Sequence, residues 1–181
     1  MRRLLLGLGL GLGLGGLLLP SAHAAEPLTE DEKERLVKRS TQTSFAFENY
    51  GGAGEGSMGL IGFQFDQFLT PAVYWGPAIY GAVAGDRGGF GVAALGLGYQ
   101  RRILPRLYWD TKALAGSGGG SGVPTGGGFL LQGMTGLQIE VFSRTRLAVH
   151  AGYAGFPTGD YHTGLVQAAL VFTGRKISLP Y

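Results

Sequence analysis

From Thr43 to Thr173 apolar side chains recur at every second position, in segments that each end at a turn signal. A period of two places alternate residues on opposite faces of an extended strand, so this pattern predicts β-structure and not helix. Eight segments carry it: residues 43–50, 57–68, 72–84, 90–101, 107–115, 129–141, 145–154 and 161–173. The sixth is the clearest, with Phe129, Leu131, Leu137, Ile139 and Val141 on one face and Gln132, Gln138 and Glu140 on the other. The other segments follow suit. Ile61, Phe63 and Phe65 oppose Gln64 and Asp66; Leu147, Val149 and Tyr153 oppose Arg146 and His150; Val166, Ala168, Leu170 and Phe172 oppose Gln167. The 35 glycines argue in the same direction, because each helix-interior Gly costs ~1 kcal/mol relative to Ala.

The connections alternate in kind. Those at 51–56, 85–89, 116–128 and 155–160 are Gly-rich, whereas those at 69–71, 103–106 and 142–144 are tight. An even number of antiparallel strands with short turns at one end and longer loops at the other is the layout of a membrane β-barrel. Strands of about 9–11 residues are long enough to cross the hydrocarbon when tilted. Alternation alone does not separate this from a soluble barrel that binds an apolar ligand. The composition of the polar face does. A water-facing exterior would be rich in Lys and Glu, but the polar positions here are mostly Gln, Gly, Ala, Ser and Thr. Small residues such as Ala94, Gly96, Gly98, Gly136, Ala148 and Gly152 suit the crowded interior of eight strands, leaving Leu95, Leu97, Leu137 and Ile139 to face lipid. The expected fold is therefore all-β: a single up-and-down antiparallel transmembrane barrel of eight strands, after a short helical or disordered N-terminal segment. Aromatics near strand ends (Tyr50, Phe68, Tyr74, Trp75, Tyr99, Tyr108, Trp109, Phe129, Phe142, Phe156 and Tyr161) are expected to supply interfacial girdles.

The N-terminus reads as an export signal. Arg2 and Arg3 precede the apolar run 4–19, and Ala22-His23-Ala24 is a small-x-small cleavage site. Six glycines dilute the run, which is short for a transmembrane helix. The expected organisation is a signal peptide at 1–24, cleaved after Ala24, a charged periplasmic segment at 25–42, the barrel at 43–173 and a C-terminal tail or strand end at 174–181. In the charged segment Thr29 and Glu32 fit a capping box.

Several classes of function are excluded. There is no cysteine, hence no disulfide framework, thiolate metal site, cysteine nucleophile or lipoprotein anchor. Charged residues make up 15% of the chain, below the ~25% of soluble domains. The formal net charge of +3 includes the two arginines of the signal, and nothing points to nucleic acid as a partner.

The signal, the eight alternating segments and the loop-length pattern resemble the small eight-stranded outer-membrane barrels of Gram-negative bacteria, the outer-membrane protein A/X-like and opacity-type porin-fold proteins. The resemblance is one of architecture. It implies an outer-membrane location, contact with outer-membrane lipids and lipopolysaccharide, and assembly by the barrel-assembly machinery. Gly164, Leu170 and Phe172 match the alternating, aromatic-ended pattern that this machinery reads, as do Ile177, Leu179 and Tyr181 at the end of the chain. Pro180 would break a closing strand, so the strand is expected to stop near Thr173. With both termini periplasmic, Arg101, Arg102, Arg106, Arg144, Arg146, Arg175 and Lys176 gather at the periplasmic rim, where they could meet phospholipid headgroups. Glu48, Glu55, Asp86, Arg87 and Asp160 fall toward the outside.

Chemistry is sparse. Inward-facing Gln64, Asp66, Asp110, Lys112, Gln132, Gln138, Glu140, Arg146, His150 and Gln167 are expected to form a hydrogen-bonded, charge-paired plug, because an unpaired buried charge is costly. Some outer-membrane barrels modify lipid A, which needs a Ser nucleophile with a His base. The His-x-Ser-Asn run of the lipid A deacylases is absent after His150 and after His162. Asp160, His162 and Thr163 gather an acid, a His and a hydroxyl at a loop edge, where Asp160 and His162 could share one pocket but the adjacent Tyr161 and His162 could not easily. No catalytic residue, metal ligand or cofactor is expected. The Gly-rich run 116–128 has neither the Lys-Ser/Thr ending of a phosphate loop nor a following helix, and reads as a flexible external loop. The expected role is structural or surface-interacting. A lipid A or phospholipid modifying enzyme and a soluble periplasmic barrel are the alternatives.

Overall fold

The computed structural model describes residues 38–51, 57–85, 89–120 and 122–177. The signal peptide, the capping box of the charged segment, Glu55, Asp86, Arg87, Leu179, Pro180 and Tyr181 lie outside the described residues. Eight strands follow in order: β1 (Lys38–Gly51), β2 (Ser57–Phe68), β3 (Val73–Gly85), β4 (Gly91–Leu104), β5 (Leu107–Gly119), β6 (Phe129–Phe142), β7 (Thr145–Gly155) and β8 (His162–Ile177). Each pairs antiparallel with its neighbours in sequence, and β1 pairs with β8 to close the barrel. Closure leaves no edge strand, so every backbone group within the wall has a partner strand on both sides.

The ladder outruns the alternation at the seam. β1 begins at Lys38, within the segment assigned above to a charged leader, and β8 continues past Thr173 to Ile177. The register runs from Lys38–Ile177 to Gly51–Gly164. The physical reason is that hydrogen bonding between strands does not require an apolar face. Once the strands leave the hydrocarbon, polar residues such as Ser40 and Arg175 can still pair while the hydrophobic signal stops.

The interior and exterior divide by parity. Large apolar side chains point out along every strand, among them Phe45, Phe47, Ile61, Phe63, Ile79, Leu95, Leu97, Leu137, Ile139, Val149 and Val166. Leu95 is 58% exposed and Ile79 59%, whereas Gln64 and Asp110 are 1% exposed. Buried polar residues inside and exposed apolar residues outside is the polarity of a transmembrane barrel, the reverse of a soluble one. This arrangement argues against the alternative of a soluble barrel with an apolar cavity.

Local irregularities have local causes. The tight turns at Pro105–Arg106 and Ser143–Arg144 are each flanked by a bulge, between Arg102 and Leu104 and between Glu140 and Phe142. Pairing of β2 with β3 lapses between Gln64–Ala78 and Gln67–Trp75. Pro77 stands in that interval, and proline has no N–H to give the ladder.

The parity also corrects part of the aromatic girdle. Trp75, Tyr99, Trp109, Phe129 and Phe142 are exposed on the outer face, but Tyr50, Tyr74, Phe156 and Tyr161 are buried inside. Tyr74 shares its face with the inward Ala78 and Tyr80, and only its neighbour Trp75 looks outward.

Candidate functional site

The interior is the candidate site, because that is where the chain gathers its buried polar groups. Toward the loop end the packing is apolar. Phe90, Phe156 and Tyr161 form a chain of rings, with Phe90–Phe156 and Phe156–Tyr161 centroid separations of 6.1 and 6.2 Å. Val92, Val123, Met58, Leu60, Leu130 and Leu165 belong to the same buried cluster.

Within the run 116–128, residues 122–128 are packed against residues 156–161. Asp160 and Tyr161 each donate a backbone N–H to the Pro124 carbonyl, at 3.1 and 3.3 Å, and Gly127 N–H donates to Thr158 Oγ1 at 3.1 Å. A Cβ on Gly126 would lie 1.8 Å from the Thr158 carbonyl oxygen, and one on Gly159 would lie 2.4 Å from the Pro124 carbonyl oxygen. Gly126 also has φ +59°, in the left-handed region. These glycines allow two backbones to touch, which corrects the expectation of flexibility.

Below this apolar packing lies Glu48, fully buried. It stands near the Gly-rich-loop end of β1, as expected for an acid toward the outer end of the barrel. Its side chain continues the inward parity of Gln42, Ser44 and Ala46. Its carboxylate accepts from Gln132 Nε2 at 3.2 and 3.3 Å and from Gln167 Nε2 at 2.5 Å. Tyr50 Oη donates to Gln132 Oε1 at 2.8 Å, and Gln167 Nε2 also reaches Tyr80 Oη at 3.3 Å.

The second cluster lies nearer the tight turns. Asp110 accepts from Tyr74 Oη and faces His150 Nε2, each at 2.8 Å. Lys112 Nζ donates to Gln64 Oε1 at 2.8 Å, and Gln64 Nε2 donates to Asp66 Oδ1 at 2.8 Å. Closer still to the turn end, Arg146 donates to Gln100 Oε1 at 2.8 Å and stacks over the Tyr108 ring at 3.8 Å. Tyr108 Oη reaches Glu140 at 3.4 Å.

All ten interior residues named from the sequence lie on the inner face or its rim. Gln64, Asp66, Asp110, Lys112, Gln132, Gln138, His150 and Gln167 are buried, while Glu140 and Arg146 are partly exposed. The expected charge pairing takes a different form. Among the described residues the only direct ion pair is His150–Asp110, and Lys112 reaches Asp66 through the Gln64 amide. Glutamine presents a donor and an acceptor at once, so it can link two charged groups across a lumen too wide for them to touch. Five interior atoms have no protein partner among the described residues: Gln42 Oε1, Gln100 Nε2, Gln138 Oε1, His150 Nδ1 and Gln167 Oε1.

The two histidines among the described residues are kept apart. His150 points inward, whereas His162 is exposed on the outer face, its ring 6.2 Å from that of Tyr153. Asp160 is exposed as well. The Asp110–His150 pair therefore faces the interior, away from the side on which a bilayer lipid would approach.

The N-terminal β-barrel domain of Pseudomonas aeruginosa OprF matches 75% of this chain and 97% of its own, with a TM-score of 0.56 and 14% identity. The fold is that of a small eight-stranded membrane barrel. A de novo designed transmembrane β-barrel matches 75% of this chain and 95% of its own, with a TM-score of 0.52 and 11% identity. At such identities the likeness is one of fold. No protein-family model matches the chain, and no curated protein matches it in sequence.

Proposed function

We propose that this chain is an integral outer-membrane barrel with a non-catalytic structural or surface-interaction role, its lumen plugged by polar side chains. The observation that carries the reading is the inverted polarity, with Leu95, Leu97 and Ile139 outside and the Glu48 and Asp110 clusters inside. Eight strands leave an interior just wide enough to be filled by side chains. Here those side chains bond across it, from Tyr50 to Gln132 and from Tyr74 to Asp110.

In this reading residues 1–24 are a signal peptide cleaved after Ala24, and both termini and the tight turns are periplasmic. The Gly-rich loops face outward, toward lipopolysaccharide and external partners, and the barrel-assembly machinery inserts the chain. The role is not enzymatic, since the one Asp–His pair among the described residues is enclosed in the barrel interior. Membrane fractionation combined with heat-modifiable gel mobility tests the placement. A protein in the outer-membrane fraction whose unheated form runs faster than its boiled form is expected, and recovery without detergent in the soluble fraction would refute it. Liposome swelling tests the plug: small sugars are expected to be excluded, and their entry would overturn a closed lumen.

A further inference from the structure

The outer face is not uniformly bulky. On β1 and β2 it carries Phe45, Phe47, Ile61, Phe63 and Phe65. On β5 and β6 the register brings small residues together. Ala113 stands opposite Gly133, and Thr111 opposite Thr135. The flanks are large: Leu97 and Tyr99 on β4 pair with Ala113 and Thr111, and Tyr153 on β7 pairs with Gly133. The result is a groove of two adjoining depressions, of 670 and 780 Å³. A Cβ added at Gly133 would meet nothing within 4 Å, so the floor of the groove is open. From Trp109 to Ala115 the floor runs about 20 Å, the scale of one acyl chain.

The polar atoms in the floor are already bonded to one another. Thr111 Oγ1 and Thr135 Oγ1 lie 2.7 Å apart, and Trp109 Nε1 donates to Thr135 Oγ1 at 2.9 Å. An apolar chain can cover them without stranding a donor. At the turn end the register places Arg101 directly beside Trp109. Arg101 is exposed, and among the described residues no side chain pairs with it. Its neighbour Arg102 instead donates to the Leu104 and Pro105 carbonyls.

We propose that this face binds one phospholipid, its acyl chain in the groove over Ala113 and Gly133 and its phosphate at Arg101. The proposal rests on the reading that the barrel sits in a bilayer, which supplies the occupant. A phospholipid is favoured over a second copy of the chain because the groove ends in an unpaired cation at the level of the Tyr99 and Trp109 rings, where an anionic headgroup lies.

The test is native mass spectrometry of the full chain refolded in non-ionic detergent, titrated with phosphatidylglycerol or phosphatidylcholine. The expected result is one phosphatidylglycerol retained per barrel. Filling the groove with Ala113→Leu and Gly133→Leu is expected to weaken retention about tenfold. Arg101→Gln is expected to weaken phosphatidylglycerol about fivefold, to the level of phosphatidylcholine. Gly81→Leu, at another position where an added Cβ meets nothing within 4 Å, is the control and keeps wild-type retention. Undiminished retention in the groove-filled variant would overturn the proposal, and so would a dimer in place of the lipid adduct. A heat-modifiable wild-type barrel that retains no phospholipid overturns the lipid site and leaves the membrane reading standing. A chain with no heat-modifiable form overturns both.

Discussion

His150 Nε2 and Asp110 Oδ2 lie 2.8 Å apart, with both side chains almost wholly buried and both facing the barrel interior. Tyr74 Oη shares the same carboxylate. Removing the carboxylate leaves a phenol and an imidazole without their acceptor in a place water reaches poorly. Asp110→Ala is expected to destabilise the barrel by about 3–5 kcal/mol, as for other broken buried pairs. Asp110→Asn keeps an oxygen for Tyr74 and should cost less. Urea unfolding from lipid vesicles, followed by gel mobility, measures both, and a change below ~1 kcal/mol for the alanine variant would contradict the assignment.

Glu48 holds two glutamine amides, Gln167 directly beside it on the neighbouring β8 and Gln132 farther round the wall on β6. Glu48→Ala strands the Gln132 amide and leaves Gln167 only its longer bond to Tyr80, and each buried unsatisfied group costs about 1–3 kcal/mol. A loss of about 3 kcal/mol is expected in the same unfolding measurement. Glu48→Gln should retain more than half of the stability at stake, because one amide oxygen still accepts.

Two tyrosines lie flat over glycines of the neighbouring strand. Tyr74 pairs with Gly98 and Tyr80 with Gly62, and a Cβ at either glycine would fall within about 2 Å of the ring, 2.1 and 1.8 Å respectively. Gly98→Ala is therefore expected to push Tyr74 off Asp110. Tyr74→Phe alone should cost about 1 kcal/mol, the usual net value of a hydrogen bond. The two substitutions are expected to be non-additive, since both act on one contact. Strict additivity in a double-mutant cycle would separate them.

At the loop end, Gly126 and Gly159 let the Pro124 and Thr158 backbones touch. Gly126→Ala adds both a clash and an unfavourable φ, and should release the connection 120–128 from 156–161. Limited proteolysis of intact membranes is expected to cut the variant there several times faster than the wild type. The barrel core should stay heat-modifiable.

The alternation of β6 places its bulky outward residues, Phe129, Leu131, Leu137, Ile139 and Val141, while the outward Gly133 and Thr135 carry no apolar signal. The same parity gives the interior set from Gln64 to Gln167. What it missed has physical reasons. Closeness to a strand end places Glu48 toward the loops but leaves open its face, which parity with Gln42 and Ser44 makes inward. Tyr74 and Trp75 were grouped as one girdle although adjacent strand residues face opposite sides. The partners of Glu48 lie 84 and 119 residues away, and no local pattern reveals which amide reaches which carboxylate. The closeness of Gly126 to Thr158 is equally invisible, because a glycine that permits contact and one that permits motion look alike in a sequence. Of the two endings open to the last strand, near Thr173 or farther on, the sequence favours the first, because the apolar signal ends there while backbone pairing continues to Ile177.

The central claim is that the apolar face meets lipid, and the chain's two tryptophans test it without labels. Trp75 and Trp109 are both exposed on that face, at 42% and 44%. In vesicles made with brominated phospholipids, tryptophan emission is expected to be strongly quenched and to resist aqueous iodide. Quenching by iodide with no effect of the brominated chains would contradict the account.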